Sequence, residues 1–194
     1  MTIISKTKFL EFKSAKSPSG SDWYYVKRTN DKKETDSAVV ITPIVKIKGV
    51  NHFLLLLTNR PPIRAENKAK YCLECPAGLI ADDNNKETLV ECTKKELLEE
   101  TGFIPNKIFV ELTNSSTSAG LSSETLSFVS AYINNEDVAQ EPINDGGVIV
   151  KRVFVKTDEI THYIEKLDKN EVSVASPTLC AIFLAQNRLT KSPF

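Results

Sequence analysis

ETLVECTKKELLEETGF, Glu87 to Phe103, carries the clearest local signal in the chain. Thr88 is followed three residues later by Glu91, a capping-box signature that makes Thr88 the expected N-cap. Gly102 supplies a left-handed residue at the other end, so a helix is predicted from Leu89 to Thr101. At about 100° per residue, Glu96 and Glu100 lie one above the other and Glu99 lies beside them. Val90, Leu97 and Thr101 project away from these acids and offer a separate packing face.

As structure alone, this arrangement is unfavourable. Like charges at i,i+4 cost roughly 0.2–0.5 kcal/mol per pair, and acids in a last turn meet the negative end of the helix dipole. A hard divalent cation would reverse both penalties, because Mg²⁺ or Mn²⁺ binds through a few carboxylates while keeping waters and contacting phosphates. A solvated acidic face softened by Lys94 and Lys95 is the plainer alternative, and helix geometry by itself leaves both open.

Outward from this helix, the pattern is strands on either side. Lys8 to Lys27 reads as a hairpin, FLEFK and WYYVKR around SAKSPSGSD, with Pro18 and Gly20 at the reversal. Thr29 to Ser37 is polar throughout and reads as a linker, placing a boundary near residue 37 between an N-terminal β unit (1–37) and the main domain (38–194). AVVITPIVKI and HFLLLLTNR are strand-like around Lys48-Gly49-Val50-Asn51, and the unbroken FLLLL suggests a central strand buried on both faces. Arg60-Pro61-Pro62 leads into an exposed-looking loop, IRAENKAK, then a short strand, YCLEC, and the turn PAGLIADDNNK. Strand-like runs follow at NKIFVEL, ETLSFVSAYI and GVIVKRVFV; a helical segment, TDEITHYIEKL, and an apolar stretch, SPTLCAIFLAQNRL, come last. The alternation is an α/β pattern.

Composition narrows the function classes. In 194 residues Lys plus Arg and Asp plus Glu are both 25, so no overall field draws the molecule to nucleic acid or an anionic membrane, and any anion site must be local. The N-terminus lacks an apolar signal region and no apolar run approaches the roughly 18 residues of a membrane span. A soluble cytoplasmic protein, with nuclear access open to it, is expected. Cys72, Cys75, Cys92 and Cys180 read as reduced thiols; Cys72 and Cys75 have CxxC spacing without a second pair at zinc-ribbon distance. His52 and His162 flank nothing recognisable and are expected outside the site.

The segment Gly78 to Phe103 resembles the Nudix box: Gly78, Glu87, Lys95-Glu96, Leu97, Glu99-Glu100, Gly102 and Phe103 fall on its positions, with the family's own spacing from Glu87 onward. LECPAGLI and the upstream NRPP resemble the form found in ADP-ribose pyrophosphatases of the dimeric ADP-sugar diphosphatase type, and the likeness runs from about Trp23 to Leu189. It implies an α/β/α sandwich with a mixed β-sheet behind a small N-terminal antiparallel β unit, and a Mg²⁺-dependent (or Mn²⁺-dependent) hydrolase yielding AMP and a sugar phosphate. The metal ligands it implies are Glu96, Glu99, Glu100 and the carbonyl of Ala77. The substrate residues are Trp23, Arg28, Arg60, Glu74 and Leu79, and the candidate catalytic acids are Glu99, Glu100 and Glu124. Stacking of Trp23 on adenine and a homodimer exchanging the N-terminal sheet are likewise implied; from the residues alone Trp23 could equally be a core aromatic of the small sheet, and Arg60 a surface arginine in a turn.

Three departures stand out, of which the first, a polar loop before the helix, need not disturb the metal site. The loop from Gly78 to Glu87 is three residues longer than the usual box, with the insertion at Asp82 to Lys86. Lys95 replaces the usual Arg, exchanging a rigid fork for a mobile point charge. Where related dimeric enzymes often carry a water-activating Glu, this chain has Gly147 and Val148. The last two also suggest a catalytically weak ADP-ribose-binding module, and a Nudix hydrolase acting on a different nucleoside diphosphate derivative is a further alternative.

Overall fold

The computed structural model describes residues 1–29, 37–66, 69–80, 87–134, 140–143 and 148–191. AVVITPIVKI builds β4 (Ser37–Ile47) and HFLLLL builds β5 (Val50–Thr58). Between them lie only Lys48 and Gly49, with φ of 48° and 84°. Two successive positive-φ residues make the hairpin turn whose twist matches that of the flanking strands.

β4 and β5 pair only beside this turn, Ile44 to Ile47 against Val50 to Phe53. Beyond it they part. Along the edge that β5 leaves, β4 pairs through Ala38 to Val40 with β7 (Ala77–Leu79), while β5 pairs through Leu56 to Thr58 with β6 (Tyr71–Glu74). Pro43 lies in the gap. The N–H of Ile41 points to this edge, donating to Pro76 O at 2.8 Å, and alternation puts the missing N–H of Pro43 on the same side. A proline in a central strand is tolerated there because no ladder bond is lost. The outer edges are continuous: β9 (Thr125–Ile133) runs parallel to β4, β8 (Lys107–Ser116) pairs with β9, β10 (Ile149–Lys156) pairs with β5, and β11 (Val172–Val174) runs parallel to β6. The sheet is thus mixed and forked.

Both faces of the fork are covered, which explains the unbroken apolar strands. Val39, Ile41, Val45 and Leu54 pack with Cys92, Leu97 and Phe103 of α2 (Leu89–Thr101) and its C-terminal exit. Ala38, Val40, Ile44, Phe53 and Leu55 face the other way, onto α3 (Ile160–Glu165) and α4 (Ser176–Lys191). Each fully buried leucine here contributes roughly 1.5–3 kcal/mol. The α/β/α layering expected from the sequence is present.

Four local expectations change. The N-terminal hairpin gains a third strand: β1 (Thr2–Lys6), β2 (Leu10–Lys16) and β3 (Asp22–Arg28) form a separate antiparallel sheet. The loop after Arg60 begins with a short helix, α1 (Pro61–Glu66), whose prolines occupy a first turn that needs no N–H. SPTLCAIFLAQNRL is the long helix α4, with Thr178, Ala181, Ile182 and Ala185 buried at helical spacing, whereas TDEITHYIEKL yields only the six-residue α3. Val90 is 39% exposed, so the packing face of α2 is Cys92, Thr93, Leu97 and Thr101 instead.

Candidate active site

At the fork the chain crosses from β6 to β7 through Cys75 and Pro76. Ile41 N holds Pro76 O on one side, and Cys75 N donates to Thr178 Oγ1 at 2.9 Å on the other, tying the crossing to the start of α4. The opening strands leave a cleft of about 490 Å³. Arg28, Arg60, Glu74, Ala77, Leu79 and Glu124 all line it. Residues 28, 60, 74 and 124 come from four separate segments, and the fork brings them together.

α2 packs against β7. A Cβ on Gly78 would overlap the Cγ, Cδ and Oε1 atoms of Glu96, so only glycine lets that carboxylate lie against the strand. One turn on, Glu100 Oε2 accepts the N–H of Ala77 at 3.0 Å. Lys95 Nζ stands 3.4 Å from Glu87 Oε1 and 3.5 Å from Glu96 Oε1, bridging two carboxylates that are nearly buried. The end of α2 is closed by Gly102 (φ 78°), whose N–H donates to Leu98 O, by Ile143 N on Glu99 O at 2.8 Å, and by Arg152 Nη1 on Thr101 O at 2.7 Å. Arg152 supplies the positive charge that the last turn itself lacks.

On the other wall, Arg60 Nε donates to Glu74 Oε2 at 2.8 Å, and Thr58 Oγ1 donates to the same oxygen at 2.6 Å. Burial works against the Arg60 charge, but the bond to Glu74 and the fields of Glu74 and Glu100 outweigh it and raise its pKa. Arg28 Nε donates to Glu124 Oε1 at 3.0 Å. β3 reaches the cleft because Val26 N donates to Leu121 O (2.8 Å) and Ser123 N donates to Val26 O (3.2 Å). Trp23, on the same strand, is 54% exposed, with Nε1 donating to Gly120 O at 2.9 Å; it is no core aromatic.

No protein-family model matches the chain. The ADP-sugar pyrophosphatase of Mus musculus is 26% identical over 205 residues, covering 99% of this chain and 88% of that protein. The crystal structure of an ADP compounds hydrolase superposes with a TM-score of 0.65 at 21% identity, over 98% of this chain and 91% of that one. The NUDIX domain of Shewanella oneidensis NrtR, crystallised with ADP ribose, superposes at 0.58 and 19% identity over 81% of this chain and 90% of that one. The chain is similar to an ADP-sugar pyrophosphatase and shares its fold with a NUDIX domain.

The segment that resembles the Nudix box begins in β7 and runs through α2. Its Gly78 contacts its Glu96, and its Lys95 joins its Glu87 to that same Glu96. The cleft gathers Arg28, Arg60, Glu74, Leu79 and Glu124 directly, while Glu96 and Glu100 approach from behind β7 and Trp23 stands outside the cleft lining. Glu99 shares the last turn of α2. Asp82 to Lys86 and Gly147 lie outside the described residues. Thr58, Ser176 and Thr178 are ordinary polar residues that the sequence does not single out, because their partners lie 14 or more positions away or only in the folded cleft.

The donor set suits a hard cation. Glu96 and Glu100 bring carboxylate oxygens to the backbone of Ala77-Gly78, Glu96 against the bare Cα of Gly78 and Glu100 on the N–H of Ala77. Among the described residues no three His, Cys, Asp or Glu side chains close into a preformed cage.

Proposed function

We propose that this protein is a Nudix enzyme that hydrolyses the diphosphate of ADP-ribose, or a closely related ADP-sugar, giving AMP and a sugar phosphate. The observation that carries the proposal is the fork itself: Arg28 and Arg60 line the cleft, and the carboxylates of Glu96 and Glu100 meet its backbone at Ala77 and Gly78. A diphosphate needs that combination of forked cations and a metal held by carboxylates.

In this reading Arg60 and Arg28 bind phosphate oxygens, Glu74 steadies Arg60, and Leu79 forms apolar floor. Trp23 is available to stack on adenine, an interaction worth about 1–3 kcal/mol. Glu96, Glu100 and the Ala77 carbonyl would hold Mg²⁺ or Mn²⁺, which when bound neutralises phosphate charge and acidifies an attacking water. Glu99 or Glu124 takes the proton; Glu124 faces the cleft and already orients Arg28. The exposed apolar side chains of the N-terminal sheet, Ile3, Phe9, Phe12 and Tyr24 among them, support a homodimer with that sheet in its interface.

The test is AMP release from ADP-ribose in Mg²⁺, compared with a panel of other nucleoside diphosphate derivatives. Wild type should release AMP from ADP-ribose fastest, and Glu100→Gln should remove at least about 99% of the rate, on the scale of losing one electrostatic stabiliser. Absence of turnover across the panel refutes the proposal. A second reading is a weakly catalytic ADP-ribose-binding module, favoured by Lys95, whose ammonium engages two box carboxylates as a point charge. Calorimetric binding without turnover would select it.

A further inference from the structure

Thr58 does not touch the cleft, yet it controls a residue that does. It is 1% exposed, at the end of β5, paired in register with Cys72 of β6. Its hydroxyl has two acceptors within reach, Cys72 O at 3.2 Å and Glu74 Oε2 at 2.6 Å, and the shorter is typical of a hydroxyl on a charged carboxylate. Glu74 Oε2 is also the atom that receives Arg60 Nε at 2.8 Å. Two donors from different directions converge on one oxygen and hold the carboxylate in a single rotamer.

The consequence falls on Arg60. Among the described residues only its Nε meets a side chain, Glu74, and its Nη groups have no side-chain partner. Anchored through Nε, the guanidinium presents both Nη groups as a fork. Without the Thr58 hydroxyl, Glu74 keeps its charge but gains freedom to turn, and Arg60 turns with it.

We infer that Thr58 is a positioning residue: through Glu74 it aims the free edge of the Arg60 guanidinium at the substrate diphosphate. The inference rests on the diphosphatase reading above. It makes Thr58-Glu74-Arg60 one unit, in which a neutral, buried hydroxyl sets affinity from behind the charged pair.

The experiment is steady-state kinetics of wild type, Thr58→Val and Thr58→Ser with ADP-ribose and Mg²⁺, alongside thermal melts of each. Valine keeps the shape and removes the hydroxyl; serine keeps the hydroxyl and removes a methyl. Thr58→Val should raise KM about tenfold, the weight of one hydrogen bond to a charged group, while kcat stays within about twofold and Thr58→Ser stays near wild type in KM. In a Glu74→Ala background Thr58→Val should add nothing further to KM. An unchanged KM in Thr58→Val, an equal effect of Ser and Val, or full additivity with Glu74→Ala overturns the inference while leaving the diphosphatase reading intact. Should Val fail to fold, the Ser variant and the Glu74→Ala cycle with Thr58→Ala decide by the same criteria. No turnover by wild type overturns the underlying reading itself.

Discussion

Glu96 lies flat against Gly78, so close that a single methyl group on that glycine would occupy the space of the carboxylate. The contact joins Gly78 of β7 to Glu96 of α2, both in the segment that resembles the Nudix box. It also separates two quantities that mutations usually move together, stability and metal affinity.

Gly78→Ala should therefore cost little stability and much activity. The obstructing atoms are the far end of a flexible side chain, which can swing away, and Gly78 does not hold a positive φ. The displaced Glu96 would no longer face the proposed metal site. We expect turnover to fall about a hundredfold, the scale of an ångström-sized misplacement, with a melting temperature close to wild type. A large drop in melting temperature with normal metal dependence would show that the glycine serves packing alone.

Lys95→Arg tests whether the point charge is the weak element of the box. Lys95 sits at 3.4 and 3.5 Å from Glu87 and Glu96, and an arginine could engage both carboxylates with separate N–H groups. The half-saturating Mg²⁺ concentration should fall roughly two- to fivefold. A metal titration of wild type and variant checks it; an increase would mean that the longer side chain competes with the metal.

Arg152 should matter to stability more than its modest burial suggests. It closes the C-terminal end of α2 through Thr101 O, where Glu99 and Glu100 face the negative end of the dipole. Arg152→Met should lower unfolding free energy by about 1–2 kcal/mol, read as a shifted denaturation midpoint at constant slope. An unchanged midpoint would leave Ile143 and Gln140, whose N–H groups bond Glu99 O and Gly102 O, as the effective caps.

The buried thiols give a pH signature. Burial pushes Cys72 up to about 11, with the Glu74 charge adding to it, and burial pushes Cys75 up to about 12 against bonds from Thr178 and Thr42. The folded protein holds these protons more tightly than the unfolded chain. Stability from this source is complete below the free-thiol value near 9 and is lost as pH rises toward 11 and 12. Alkylation at pH 8 should modify the partly exposed Cys180 first and reach Cys72 and Cys75 only on unfolding. Fast labelling of Cys75 in native protein would refute the buried crossing.

Much of this was legible in the chain because the signals are local. Thr88, Glu91 and Gly102 mark the ends of α2 through bonds that span three or four residues. FLLLL announced a strand covered on both sides. The fork was not legible, since it depends on β4 exchanging β5 for β7 across a gap at Pro43, a long-range pairing with no local mark. α4 was obscured for a different reason: Leu179 and Phe183 are exposed, so its apolar residues surround the helix and blur the period. Among site residues, those carrying charge stood out; Thr58 and Thr178, acting through single hydroxyls, did not.

The most direct test is a crystal of the Glu100-intact protein soaked with Mn²⁺ and a non-hydrolysable ADP-ribose analogue, phased to locate manganese by its anomalous scattering. Manganese should appear at coordination distance from Glu96, Glu100 and the Ala77 carbonyl, with the diphosphate between it and the Nη groups of Arg60. Manganese elsewhere, or a diphosphate bound outside the fork while both carboxylates face bulk solvent, refutes the site.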